Sequence, residues 1–172
     1  MRGLKLDNKK EMSLSDEVID FSNPSRVYVP LINGNTKCIC LVKEGKKVKK
    51  GTILGKREDI DFPILSPVSG TVVGIKKCLY TTGIEVDSVV IVNDKKEALV
   101  RKSLVKDITS YTKDEFIDLL RKCAVVGMGG SDFPTFLKYK AEINTLIVNA
   151  VECEPYITSD LMLCKLKNHK LI

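Results

Sequence analysis

Between residues 26 and 94 the chain is cut into short runs rich in Val and Ile, separated by Gly, Pro and Asn. The runs are RVYVPLI (26–32), CICLV (38–42), TILGK (52–56), VSGTVVGIKK (68–77) and IEVDSVVIVND (84–94). Runs of this length, rich in β-branched residues and bounded by turn formers, specify strands and tight turns rather than helices. In the first run Val27, Val29 and Leu31 alternate, so one strand face is apolar. Residues 26–100 therefore read as an all-β unit, preceded by a polar arm over residues 1–25 that ends near Asn23-Pro24.

Within this unit, VKEGKKVKKGTILGK (42–56) sets Gly45, Gly51 and Gly55 around Val42, Val48, Ile53 and Leu54. SPVSGTVVGI (66–75) follows, with Pro67 and Gly70 marking a second reversal. The pair resembles the barrel-sandwich fold of biotinyl and lipoyl carrier domains. Those carriers present a lysine on the hairpin between the two halves. Here the link is REDIDFPIL (57–65), without a lysine. The resemblance implies the fold and argues against a carrier role, leaving a scaffold or docking module.

Composition narrows the function classes. Hydrophobic residues make up 44% and charged residues 29%, as in a packed globular protein rather than a disordered one. No apolar run approaches the roughly 18–20 residues of a membrane span, and the N-terminal stretch lacks the apolar segment of a signal peptide. A cytoplasmic location is the expectation. The net charge is +6, much of it in residues 43–58. No aromatic residues interleave with those lysines to stack bases, so they read as a solvated turn rather than a nucleic-acid surface. The six cysteines form no C-x-x-C pair, and His169 is the only histidine. Neither an iron–sulfur run nor a histidine metal site is present, and Cys38 and Cys40 read as small apolar residues on one strand face.

After residue 100 the pattern changes to α/β. TKDEFIDLLRKC (112–123) spaces Phe116, Leu119, Leu120 and Cys123 as one face of a helix, with Thr112 and Glu115 in capping-box positions. VVGMGGSDFPTFLKYK (125–140) follows, then NTLIVNAV (144–151), a continuous apolar run expected to be a buried strand. A further helix begins at SDLMLCKLK, with Ser159 as its expected cap. The glycine stretch has two readings. Backbone N–H groups freed of side chains can cradle a phosphate, with Lys138 pairing the charge. Alternatively the stretch is a tight turn between helices. Asn149, Glu152 and Glu154 lie just past the expected strand, where α/β sheets bind ligands.

Taken together, GMGGSDFPTFLK and TLIVNAVECEPYITSD are similar to the RnfC component of Rnf-type ferredoxin:NAD oxidoreductases and to the related proline-reductase-associated electron-transfer protein. More distantly they resemble the NADH- and FMN-binding subunit of respiratory complex I. The order of VYVPL, VKEG, VKKGTILG and PVSGTVVGI ahead of them matches the Rnf-type domain order. The resemblance implies an α+β multi-domain chain: a barrel-sandwich hybrid at residues 26–100 and the start of an α/β FMN- and NADH-binding domain at residues 101–172.

It further implies that Gly127, Gly129 and Gly130 let the backbone approach FMN, and that Phe133, Pro134 and Thr135 turn the loop into its helix. Lys138 pairs the phosphate, Asn149 contacts the flavin, and Glu152 and Glu154 lie near flavin and nicotinamide. Hydride would pass between NAD(H) and FMN. Iron–sulfur clusters would lie beyond residue 172, and the partners would be other subunits of an electron-transfer complex at the inner face of the cell membrane. Three features depart from the family. Asp132 stands where a small residue, commonly glycine, is usual, and its carboxylate should repel a phosphate by about 1 kcal/mol. Its backbone is expected to resist the glycine conformation, so Asp132→Gly should raise affinity. The arm lacks the family's G-G-x-H-P-P run, and the chain ends within the flavin domain. The other function reading is a docking module that binds no cofactor.

Overall fold

The computed structural model describes residues 7–14, 23–100, 107–127, 131–145, 147 and 154–162. They fall into two compact units, residues 23–142 and residues 1–22 with 143–172.

Among its described residues the larger unit has eight strands: β1 (Arg26–Pro30), β2 (Ile32–Asn33), β3 (Thr36–Cys40), β4 (Lys47–Val48), β5 (Ile53–Arg57), β6 (Pro63–Leu65), β7 (Gly70–Leu79) and β8 (Glu85–Asn93). They form two antiparallel four-stranded sheets, in the orders β1-β8-β7-β4 and β2-β3-β5-β6. This is the barrel-sandwich hybrid expected from the paired glycine-rich segments.

Inward residues of both sheets make the core. Leu31, Cys38, Val48, Leu54, Val68, Val72, Val89 and Ile91 are buried together, with Val27, Val29, Cys40, Val42 and Ile64 packed against them. The alternation of Val27, Val29 and Leu31 thus reports the core face, as the sequence predicts. Burying each such side chain contributes roughly 1.5–3 kcal/mol. Val89 and Ile91 are wholly buried because β8 is flanked by β1 and β7. Cys38 belongs to this core as a small apolar residue, and among the described residues no cluster of His, Cys, Asp or Glu could hold a metal ion.

Gly45 and Gly51 occupy turns, but Gly55 lies inside β5. Its constraint is proximity rather than a turn: a Cβ there would come within 2.6 Å of the Ile39 carbonyl oxygen on β3.

Helix α1 (Lys113–Lys122) starts as its sequence predicts. The Thr112 hydroxyl accepts from the Glu115 amide, and the Glu115 carboxylate accepts from the Thr112 amide at 3.0 Å. Near its other end Arg121 pairs with Asp118 at 2.6 Å and reaches Asp61 in the β5–β6 connection. A short helix, α2 (Thr135–Lys138), places Phe136 in a buried position. Phe116 of α1 meets Tyr139 edge-on, with ring centres 5.7 Å apart.

In the smaller unit the N-terminal arm has a role that its polar sequence conceals. The Tyr156 amide donates to the Asn8 carbonyl at 2.9 Å, and Ser13 and Lys10 donate to the carbonyls of Tyr156 and Ile157. Residues 159–162 are helical, and the Met162 amide donates to the Thr158 carbonyl. Thr158 therefore takes the capping position expected of Ser159, which is the first helical residue. The strand expected at residues 144–151 falls mostly outside the described residues.

Candidate functional site

The glycine stretch folds back on itself. Val126 and Pro134 form an antiparallel bridge. The Gly127 amide donates to the Phe133 carbonyl at 2.9 Å, and the Thr135 amide donates to the Val125 carbonyl at 2.9 Å. Pro134, whose ring can donate nothing, sits buried at the point where the chain turns into α2.

Lys138, at the end of α2, directs its ammonium back over the neck of this loop. Its Nζ lies 5.8 Å from the centre of the Phe133 ring, and a methyl group on Gly127 would meet it at 3.5 Å. Among the described residues Lys138 has no carboxylate within ion-pair distance, unlike Lys122, which pairs with Asp118.

Gly127, Phe133, Thr135 and Lys138 are thus brought together. The first and third differ from expectation in one respect: their amides are already committed inside the loop. These two amides frame the loop and are not free to donate to an anion. Gly129 and Gly130, together with Asn149 and Glu152, lie outside the described residues. Glu154 is exposed and belongs to the other unit.

The returning limb of the loop is fastened to the barrel by residues that no sequence motif marks. Asp132 has φ of 49°, in the left-handed region that Asp and Asn tolerate better than most side chains. The expectation that aspartate resists the glycine conformation is therefore not met. Its carboxylate is engaged as well: the Tyr80 hydroxyl donates to Asp132 Oδ2 at 2.6 Å. The Asp132 carbonyl accepts from Asn33 Nδ2 at 2.8 Å.

Asn33 is buried and is itself held by Arg57, whose Nη1 donates to Asn33 Oδ1 at 2.8 Å. Arg57 also donates to Thr36 at 3.0 Å and pairs with Asp59 at 2.6 Å. Beside Asn33, Gly34 has φ of +58°, and a Cβ there would stand 2.8 Å from the Ser131 carbonyl oxygen. In sequence Asn33-Gly34 signals only a turn between β2 and β3. Tyr80 opens the turn of the β7–β8 hairpin, where its amide donates to the Ile84 carbonyl at 2.8 Å.

The electrostatics follow these contacts. The bond to Asp132 holds the Tyr80 phenol above its ordinary value, and partial burial adds to the effect. The bond from Arg57 holds the Asp59 carboxyl below its ordinary value. Burial pushes the Cys38 thiol up to about 11, which keeps it neutral and unreactive near neutral pH.

Comparison with known proteins places the chain in a family. Residues 1–96 match the family model of the RnfC barrel sandwich hybrid domain, and residues 120–172 match that of the Nuo51 FMN-binding domain. Three relatives carry one name, the C component of an ion-translocating oxidoreductase complex. The protein from Buchnera aphidicola subsp. Acyrthosiphon pisum is 38% identical over 132 residues, covering 74% of this chain and 27% of that protein. The one from Vibrio cholerae serotype O1 is 30% identical over 177 residues, covering 99% and 23% respectively. That of Pectobacterium atrosepticum is 31% identical over 165 residues, covering 92% and 24%. The chain spans about a quarter of the length of these relatives. With the barrel-sandwich model matched over more than half of its residues and the start of an FMN-binding domain following it, the chain belongs to the RnfC family.

Proposed function

We propose that this chain is the N-terminal portion of an electron-transfer flavoprotein subunit. Hydride passes between NAD(H) and FMN, and electrons leave toward iron–sulfur centres outside these residues. The observation that carries the reading is the ammonium of Lys138, without a carboxylate partner among the described residues, poised over Gly127 in a loop closed by Val126 and Pro134. The stretch lies within the part that matches an FMN-binding domain.

A cation held at the neck of a glycine loop suits the phosphate of a nucleotide, and the fit is one of chemistry and placement. Lys138 neutralises the anion and Phe133 shields the ammonium on one side. Gly127 lets the ammonium lie close to the backbone. When bound, FMN supplies the exchange between two-electron and one-electron steps, while the protein supplies orientation and charge. Asn149, Glu152 and Glu154 complete the flavin and nicotinamide contacts in this reading.

The relatives are named as parts of an ion-translocating oxidoreductase complex. The partners proposed here are accordingly other subunits of such a complex, which hold this chain at the inner face of the membrane. Among the described residues no helix is long and apolar enough to cross a membrane.

Titration of the purified chain with FMN, followed by flavin fluorescence, tests the reading. Saturable binding is expected, weakened about tenfold or more in Lys138→Ala, the loss of one charge-assisted contact. A folded chain that does not bind FMN would overturn it.

A further inference from the structure

Ser131 and Asp132, on the returning limb of the glycine loop, have structural partners in the barrel. Three independent contacts converge on residues 131 and 132. The Tyr80 hydroxyl holds the carboxylate at 2.6 Å, and the Asn33 amide holds the carbonyl at 2.8 Å. Gly34 leaves room for the Ser131 carbonyl oxygen, which a Cβ would approach to 2.8 Å. All three barrel residues lie about 50 to 100 positions away in sequence, so no local turn preference accounts for them.

We propose that Asp132 is a positioning residue: gripped by Tyr80 and Asn33, it latches the returning limb of the glycine loop to the barrel and sets the loop's shape for an anionic cofactor. The inference rests on the flavin reading for its affinity arm only.

The latch works through two physical effects. A glycine at position 132 would reach φ of 49° without strain but would also sample many other conformations. The aspartate side chain selects one of them by bonding the phenol. The same bond engages the carboxylate with a proton donor and removes part of the repulsion that a bare acid would exert on a phosphate. The barrel then serves as the template on which half of the nucleotide loop is formed. The expected effect of Asp132→Gly is reversed: affinity should fall, because losing the latch outweighs the relief of the charge repulsion.

The test uses the full chain and two readouts. The first is hydrogen exchange, without cofactor, at the Gly127 and Thr135 amides that close the loop. The amides of Val89, Val90 and Ile91 in β8 report global stability. The second is FMN affinity.

Tyr80→Phe removes one oxygen and leaves the ring. It should speed exchange at Gly127 and Thr135 about tenfold or more, the worth of one hydrogen bond to a charged group, and leave the β8 amides unchanged. Asp132→Ala should do the same. Asp132→Asn keeps an acceptor for the phenol and should stay near the parent. FMN affinity should fall in Tyr80→Phe and Asp132→Ala and be retained in Asp132→Asn.

Unchanged exchange at Gly127 and Thr135 in Tyr80→Phe would overturn the latch. Faster exchange with unaltered FMN affinity would overturn the positioning role. If the parent chain fails to bind FMN, the flavin reading fails and with it the positioning role, while the exchange arm still decides whether the latch exists.

Discussion

Phe62 and Phe136 stack with their ring centres 5.8 Å apart and their planes 15° from parallel. Phe62 lies in the connection between β5 and β6, and Phe136 lies in α2, so the stack joins the barrel to the helix that ends the glycine loop. Both rings are buried. Phe136→Ala should cost roughly 3–5 kcal/mol, the usual range for deleting a buried aromatic ring. Urea denaturation followed by circular dichroism measures it. A loss below about 1 kcal/mol would mean that α2 is not anchored by the stack.

Gly34 offers a separate test of the loop's seating. Gly34→Ala forces a side chain into a left-handed backbone and against the Ser131 carbonyl oxygen. The backbone term alone is about 1 kcal/mol. The contact adds to it unless the loop moves away. The expected outcome is lower stability together with faster exchange at Gly127 and Thr135. Gly127→Ala should be mild by comparison, since its Cβ would meet the flexible end of Lys138 at 3.5 Å and the Phe133 carbonyl oxygen at 3.9 Å, both ordinary contacts.

The capping box at the start of α1 should be measurable by itself. Thr112→Ala removes the acceptor for the Glu115 amide. The expected loss is about 1 kcal/mol. Thr112→Ser should retain most of the stability, and unfolding curves of the two variants decide it.

Cys38 gives the chain an alkaline limit. Its folded pKa, about 11, is above the ordinary 9.0 because burial disfavours the thiolate. Below pH 9.0 the contribution to stability is complete, and it is lost as the pH rises toward about 11, because the unfolded chain releases this proton first. The fall in stability over that window should be shallower in Cys38→Ala than in the parent. Iodoacetamide at pH 8 should leave Cys38 unmodified in the folded chain and label it after denaturation.

The barrel was legible in the sequence because strand alternation and turn chemistry are local. Val27, Val29 and Leu31 announce the inward face, and Thr112 with Glu115 announces the helix start. Gly55 misled because a glycine needed for close strand approach looks the same as one needed for a turn. Asp132 misled for a related reason. Its likeness to a glycine position could be seen, but the phenol that accommodates its charge is 52 positions away. Asn33, Arg57 and Tyr80 carry no motif, since each bonds to groups brought near only by the folded barrel. The glycine loop and Lys138 were visible as chemistry, whereas the commitment of the Gly127 and Thr135 amides to the loop's own closure depends on geometry that spacing does not encode.

Tyr80 opens the turn at the tip of the β7–β8 hairpin, and the hairpin's reach matters as much as the identity of that residue. Each strand residue advances the chain by about 3.3 Å. Removing one facing pair would draw the phenol back by more than the length of the bond it makes, however well the rest of the barrel folded. The hairpin therefore acts as a ruler, and insertions or deletions in it should be tolerated less than substitutions along its exposed face.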